Sequence, residues 1–440
     1  MSLKQRLERL THAQPRTARG LLTVEDVRAA ARPAASHPAA SHPAALHEVF
    51  DDLRQQMQAL LARGERPRQG PAQHRARAAR VSVESLPFLQ LGTPAGPLWQ
   101  RVDRLAVSHR VGRVAVELAS LAEPHILAEL ALDPRVADSS PETWLFLDTE
   151  TTGFGGAGTL AFLIGMAAFD ASGGVVVEQL LLREPAQERA LLERVAERVR
   201  AASLIVSFNG KAFDRPLLDG RYVMNRMGPL PERPHLDLLH IGRRLHQRRL
   251  GRCTLKRMES EVLGFERGDD IDGSEVAAMY THFLRHSDAS GLAAVVSHNF
   301  WDVVSMVALV GLYGQRLPPL VARDLAGLAR TLKRAGAISH AEQAAQAACE
   351  QGGGSDAWRV RAELAKSRGD CSSAAADFEL YCRETNDPSG RLELCKLYEH
   401  KLQRPAQALR WLALGTGEDS SAHARRRERL ERKLRRNPAP

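Results

Sequence analysis

The stretch Trp144-Leu-Phe-Leu-Asp148-Thr-Glu150-Thr-Thr-Gly153-Phe154 narrows what the chain can fold into more than any other. Four large apolar residues predict a strand buried in a core, yet two carboxylates follow at once, one residue apart. Charge placed there without a partner is strongly destabilising, so something positive must neutralise it. Successive strand side chains point to opposite faces, and residues 148 and 150 therefore share one. Two carboxylates on one face suit a hard divalent cation bound through oxygen.

The surroundings of this strand predict a layered domain. A glycine-rich bend, Gly153-Phe-Gly-Gly-Ala-Gly158, follows it. Ala161–Phe169 and Val175–Leu182 flank Asp170-Ala-Ser-Gly-Gly and read as a hairpin. Glu188–Ala201 reads as a helix and Leu204–Phe208 as a further buried strand. Three strands, helix, strand, helix is the signature of an α/β domain, a mixed sheet with helices on its faces. Before the opening strand, Val114–Leu132 has helical spacing; after it, so do Leu255–Leu263 and Gly291–Leu312.

From Pro318 onward one helix follows another: Asp324–Ala335, Ala341–Glu350, Ala357–Ser367, Ser373–Thr385, Arg391–His400 and Ala406–Leu414. Small residues recur at the contacts, as in Ala357 against Ala374-Ala375-Ala376, at a spacing that resembles a tetratricopeptide helix pair. Such modules stack into binding surfaces, so a protein partner is expected there.

Charge is uneven along the chain. Residues 1–80 carry a net +7 and residues 421–440 a net +6, which leaves −4 for the remainder of a chain whose formal total is +9. The first 80 residues contain a tandem Pro-Ala-Ala-Ser-His repeat that buries too little apolar surface to order itself, and they read as a largely disordered basic segment. Short helices are expected within it at 3–10 and 46–62, and His37 and His42 belong to the linker rather than to a metal site. The expected organisation is thus 1–80, an α/β domain over 81–316, a helical module over 317–416 and a basic tail over 417–440. The tail reads equally as a solvated helix end or as a nucleic-acid arm. Five cysteines without a C-x-x-C pair and without a secretory apolar segment point to a reducing cytoplasm, with no membrane span expected.

Further chemistry gathers at two places. Ser207-Phe-Asn209-Gly-Lys211-Ala-Phe-Asp214 puts an acid just past a strand end, where open α/β sheets collect their sites. Ser297-His298-Asn-Phe-Trp-Asp302 puts a histidine and an acid four apart on an apolar helix, hence on one face. Asp148, Glu150, Asp214 and Asp302 with His298 form an ordered set. Four carboxylates facing one space repel unless two divalent cations lie between them. Asp237 reads as a hydrogen-bonded strand-end acid. Gly268-Asp-Asp-Ile-Asp-Gly273 lacks the glutamate of a calcium loop, since position 12 from Asp270 is Thr281, and reads as a loop before a helix.

Asp148-Thr-Glu150, Asn209-Gly-Lys-Ala-Phe-Asp214 and His298-x-x-x-Asp302 resemble the DEDD superfamily of 3′–5′ exonucleases on the ribonuclease H-like fold. Residues 88–315 look more closely like the YprB-like ribonuclease H-fold family, through Leu145–Gly153, Phe162-Leu-Ile-Gly165, Phe208–Leu218, His235–His240, Asp269–Gly273 and His298-Asn299. The resemblance implies two-metal hydrolysis of a phosphodiester with Mg²⁺ or Mn²⁺. Asp148, Glu150 and Asp302 would hold one ion and Asp148 would bridge to the second, while Asp214 would act through water. His298 would be the general base, and Thr151, Asn209 and Lys211 would meet the terminal nucleotide of a DNA or RNA 3′ end. One departure accompanies it: relatives use Tyr-x-x-x-Asp or His-x-x-x-x-Asp, whereas this chain has His-x-x-x-Asp. The competing expectation is a nuclease-fold scaffold, weak or inactive as an enzyme, that binds nucleic acid or a protein.

Overall fold

The computed structural model describes residues 81–153, 158–268 and 270–436. The expectations for residues 1–80, for 154–157 of the glycine-rich bend, for Asp269 and for 437–440 lie outside these. Nine strands occur among the described residues: β1 Leu89–Thr93, β2 Gly96–Leu105, β3 Arg110–Val111, β4 Val114–Ala115, β5 Trp144–Thr151, β6 Ala161–Phe169, β7 Val175–Leu181, β8 Leu204–Ser207 and β9 His235–Asp237. Seven form one mixed sheet in the order β1-β2-β7-β6-β5-β8-β9, while β3 and β4 pair on their own.

β5 lies inside the sheet, antiparallel to β6 and parallel to β8. Its first four side chains are all buried and alternate between two apolar cores, Trp144 and Phe146 in one, Leu145 and Leu147 in the other. Both faces of the strand are thus covered, which is why it reads as a continuous apolar run. Where that cover ends, the parity that carried Trp144 and Phe146 carries Asp148 and Glu150. Across from Asp148 in β6 stands Gly165. A Cβ there would collide with Asn299 Oδ1 and lie 2.8 Å from Val303 Cγ2. The bare backbone admits the helix Leu292–Tyr313 at the level of the acids.

That helix is long and apolar enough to cross a membrane by length and composition. Its C-terminal half, from Val303 to Tyr313, is buried throughout, packed into the core and against β5, β6 and β7. It is the central core helix of the domain.

The expected helix over 114–132 is broken. Val114–Ala115 pairs with β3, a short helix spans Glu117–Ser120, and Pro124–Ala131 forms a second with Pro124 in its first turn. Proline lacks the N–H that an uninterrupted helix would need at that point. In the C-terminal region the helices are Ala322–Ala335, Ile338–Glu350, Gly354–Arg368, Cys371–Glu384, Pro388–Lys396 and Pro405–Ala413. Residues expected as a tail form the helix Ser420–Arg436, which buries Leu430 and sets Arg426 and Arg429 on the buried Glu399.

The described residues belong to one compact unit. Ala322–Ala335 packs on Leu238–Leu250 because Gly327 offers no Cβ to the Leu245 backbone. Beside it His246 Nδ1 lies 2.9 Å from Asp324 Oδ2, His246 Nε2 lies 2.9 Å from the Tyr313 hydroxyl, and Arg249 Nη2 lies 2.8 Å from Asp324 Oδ2. Burial pushes the Asp324 carboxyl up, but His246 and Arg249 outweigh it and hold the acid below its ordinary range.

Candidate metal centre

The end of β5, the helix Leu292–Tyr313 and the residues Glu259, Arg267 and Asp270 converge on one acidic hollow. The acids of β5 are partly buried, and their surroundings disfavour charge. Burial, then Asp302, Glu150 and Asp214, raise the Asp148 pKa well above the ordinary carboxylate range. Glu150 is pushed up to about 7 by burial and by Asp302. Its Oε1 is buried and has no hydrogen-bond partner among the described residues.

Asp148 is held in place by a polar relay through the core. The Asn299 amide donates to Asp148 Oδ2 at 2.9 Å, and the Gln179 amide donates to Asn299 Oδ1 at 2.9 Å and to the Val296 carbonyl at 2.9 Å. Gln179 and Asn299 are fully buried. A buried amide pair of this kind fixes a rotamer, because any other arrangement would leave donors unsatisfied.

His298 and Asp302 lie side by side one helical turn apart, with His298 Nε2 3.5 Å from Asp302 Oδ2. His298 Nδ1 lies 2.7 Å from Asp270 Oδ1, and Lys256 Nζ lies 3.1 Å from Asp270 Oδ2. Arg267 reaches in from below, pairing with Asp302 Oδ1 and, at 2.5 Å, with Glu259 Oε1. Burial pulls the His298 pKa down, but the charge of Asp302 and the bond to Asp270 outweigh it, and the pKa is raised.

The tightest group is Glu150, His298 and Asp302, whose ligand atoms all lie within 4.8 Å of one another. Asp148 adjoins it, tied to Asn299. Asp214 is not one of these three, but its charge adds to the rise of both Asp148 and Glu150. It begins the helix Asp214–Met224 and accepts from the Thr149 hydroxyl at 2.5 Å, a residue of opposite parity to Asp148 and Glu150. Burial pushes Asp214 up to about 6, against the opposing Thr149 bond. A buried carboxylate oxygen without a partner among the described residues, raised acid pKa values and an adjacent imidazole fit a divalent cation, whose charge would favour the ionised carboxylates that burial disfavours.

The expected nucleotide contacts differ in what they present. Thr151 spends its hydroxyl on the Gly153 carbonyl at 2.7 Å, and the Lys211 side chain is exposed. Asn209 adopts φ +70°, and its backbone N–H donates to Asp237 Oδ1 at 2.8 Å. Asp237 also accepts from the Lys211 and Leu239 amides at 3.2 and 3.1 Å, so this strand-end acid pins the loop and caps the next helix. A groove of about 590 Å³ opens beside Asn209, lined by Phe208, Leu239, Arg243, Arg252 and Thr254.

Gln179, Asn299, Glu259, Arg267 and Asp270 were not assigned roles from sequence. Asn299 and Asp270 carried a signal, each lying in a segment of the family resemblance, although the segment of Asp270 was otherwise read as a loop before a helix. Arg267 and Glu259 carried none.

Comparison with known proteins agrees with the sheet. Residues 145–313, which contain Asp148, Glu150, Asp214, His298 and Asp302, match the RNase_H superfamily. The chain is similar to the Bacillus subtilis (strain 168) protein named Uncharacterized protein YprB, 41% identical over 167 residues. These are 37% of this chain, and the match spans 40% of that relative's length. Members of the RNase_H superfamily generally hydrolyse phosphodiester bonds, and its nucleases generally use divalent metals. The matched segment lies within a ribonuclease H-like domain, a mixed seven-stranded sheet flanked by helices, with a run of helices after it.

Proposed function

We propose that the chain is a divalent-cation-dependent 3′–5′ exonuclease of single-stranded nucleic acid or frayed 3′ ends. The observation that carries this reading is Glu150 Oε1, buried without a partner among the described residues in a hollow that also holds Asp148, Asp302 and His298. Such an atom is costly unless a cation meets it. Asp148, Glu150 and Asp302 would hold one ion, and Asp148 with Asp214 a second, each Mg²⁺ or Mn²⁺. Cations held there supply charge that offsets the acids and polarise both water and the scissile phosphate.

The chain's own residues position the substrate around this hollow. The Gln179 and Asn299 relay keeps Asp148 turned into it. Asp237 holds the 209–211 loop rigid, so that the Asn209 side chain and the backbone after Glu150 meet the terminal nucleotide. Arg243 and Arg252, neither paired with a carboxylate among the described residues, line the groove that begins at Asn209, and Phe208 offers a surface for a base. Cations with an adjacent aromatic ring suit a single strand, by phosphate contact and stacking. The 3′ to 5′ direction follows the likeness of Asp148-Thr-Glu150, Asp214 and Asp302 to the DEDD exonucleases.

The test is the fate of 5′- and 3′-labelled oligonucleotides with Mg²⁺ or Mn²⁺. A ladder shortening from the 3′ end, abolished by EDTA and by Asp148→Asn, is expected. No cation-dependent shortening of either DNA or RNA overturns the reading.

A further inference from the structure

His298 stands where a ligand stands. Its imidazole is fixed from behind, since Nδ1 lies 2.7 Å from Asp270 Oδ1. Arg267 Nη1 is 3.3 Å from the same nitrogen and 3.3 Å from the His298 carbonyl oxygen. A guanidinium can only donate and a carboxylate can only accept. If Nδ1 lacked its proton, it would set a lone pair against the Asp270 carboxylate at 2.7 Å. Nδ1 therefore carries the hydrogen and donates it to Asp270, while Arg267 donates to the carbonyl. Lys256, 3.1 Å from the other Asp270 oxygen, keeps that acid charged and in place.

The remaining nitrogen, Nε2, then points forward, 3.5 Å from Asp302 Oδ2. Asp302 Oδ1 is occupied by Arg267, which leaves Oδ2 as the free atom. Glu150 contributes Oε1, which has no partner among the described residues. Each of the three residues thus offers one donor atom, and those of His298 and Asp302 are held from behind by protein groups. Two acceptor atoms facing each other at 3.5 Å need something positive between them. In the cation-free protein that is a proton on Nε2, and a metal ion can take its place.

Resting on the cation-dependent reading above, we infer that His298 Nε2 is a direct ligand of the first cation, together with Glu150 and Asp302, and that Asp270 is its orienting outer partner. A carboxylate receiving the second ring N–H is the usual support of a metal-bound histidine, and it sets the tautomer. An imidazole in the set also biases the ion. Mg²⁺ takes oxygen ligands in near-ideal octahedra, whereas a mixed imidazole and carboxylate set favours a first-row transition dication such as Mn²⁺. His298 then does not serve as the free base that the sequence resemblance implies. It is committed to the ion.

The experiment is pulsed electron paramagnetic resonance on the full chain titrated with Mn²⁺, with no nucleic acid present. Nitrogen modulation from one imidazole is expected on bound Mn²⁺, lost in His298→Gln. Mn²⁺ affinity should fall about 10-fold or more in His298→Gln, and about 10- to 100-fold in the near-isosteric Asp270→Asn. Mg²⁺ affinity should change far less in both. In ¹⁵N-histidine NMR of the cation-free wild type, both His298 ring nitrogens are expected to carry a proton, and Nδ1 to be the one that keeps it when Nε2 gives its own up, a preference weakened in Asp270→Asn. Mn²⁺ bound without nitrogen coupling, with His298→Gln keeping wild-type affinity but losing turnover, overturns the inference in favour of a base. That outcome leaves the exonuclease reading standing. Nitrogen-coupled Mn²⁺ without hydrolysis of any strand removes the exonuclease reading and keeps the ligand assignment.

Discussion

At the scale of single residues, the site holds acids whose pKa values are raised by their surroundings. Glu150 moves from its ordinary 4.5 to about 7, Asp214 from 3.8 to about 6, and Asp148 moves in the same direction, in each case with burial as the largest cause. A carboxyl whose pKa is raised by folding favours the native state while protonated. Its contribution is fully present below the unfolded value and is lost as pH rises through the folded value. The cation-free protein should therefore lose stability between about pH 4 and pH 7. For Glu150 alone the loss is on the order of 3 kcal/mol, at about 1.4 kcal/mol per pKa unit. Thermal unfolding in EDTA should show Tm falling by several degrees across this window, and Mn²⁺ should largely remove the fall. The stabilisation by Mn²⁺ should in turn be much larger at about pH 7.5 than at about pH 5, because binding displaces protons. A Tm in EDTA that stays flat or rises over this range would contradict the protonation states assigned to the hollow.

At the scale of elements, the site exists because one helix can come close to one sheet. Gly165 sits opposite Asp148, and its missing Cβ is the space that Asn299 and Val303 occupy. Gly165→Ala should displace Asn299, release Asp148 from its amide and cut turnover by about 10-fold or more, with a loss of a few kcal/mol in stability from overpacking. Steady-state kinetics and thermal unfolding of the variant check this together. The groove beside Asn209 belongs to the same scale. Replacing Arg243 and Arg252 by alanine should raise KM for single strands several-fold and leave kcat unchanged. The salt slope of binding should become shallower by about 0.7 for each phosphate that an arginine no longer neutralises. An unchanged slope would place the strand elsewhere.

The run from β5 through β8 was legible in sequence because its strands are apolar on both faces and its turns are marked by glycine and aspartate. β1 was not, since it is an edge strand with Leu89 and Leu91 exposed, and β3, β4 and β9 span only two or three residues. The acids themselves were found by their places at strand and helix ends. Their partners were not: that Asp214 accepts from the Thr149 hydroxyl while its charge also reaches Asp148 and Glu150 depends on how its helix approaches β5. The partners of His298 lie about 30 residues away in a loop, beyond the reach of any local period.

At the scale of the whole molecule, the α/β domain and the helices after it are joined by a buried polar knot, not by apolar packing alone. His246, Tyr313 and Asp324 are almost fully buried, and Arg249 closes the group. Removing one partner of a buried ion pair strands the other, at a cost of about 3 to 5 kcal/mol. Asp324→Asn should accordingly lower Tm markedly, while its single strand affinity at low temperature stays that of the wild type. A Tm within about a degree of wild type would mean that the knot adds little to the joint. The basic C-terminal residues also read differently at this scale: Arg426 and Arg429 are engaged with Glu399, so that part of the terminal charge is structural.

The measurement that bears most directly on the central claim is the rate at which the chain shortens a 5′-labelled single strand as Mn²⁺ is raised, for wild type and Glu150→Gln side by side. A cation centre at the end of β5 requires a rate that rises with Mn²⁺ to saturation in the wild type and falls at least about 10²-fold in Glu150→Gln, with the folded state intact. Equal rates in the two proteins, or a wild-type rate indifferent to Mn²⁺ and EDTA, would contradict it.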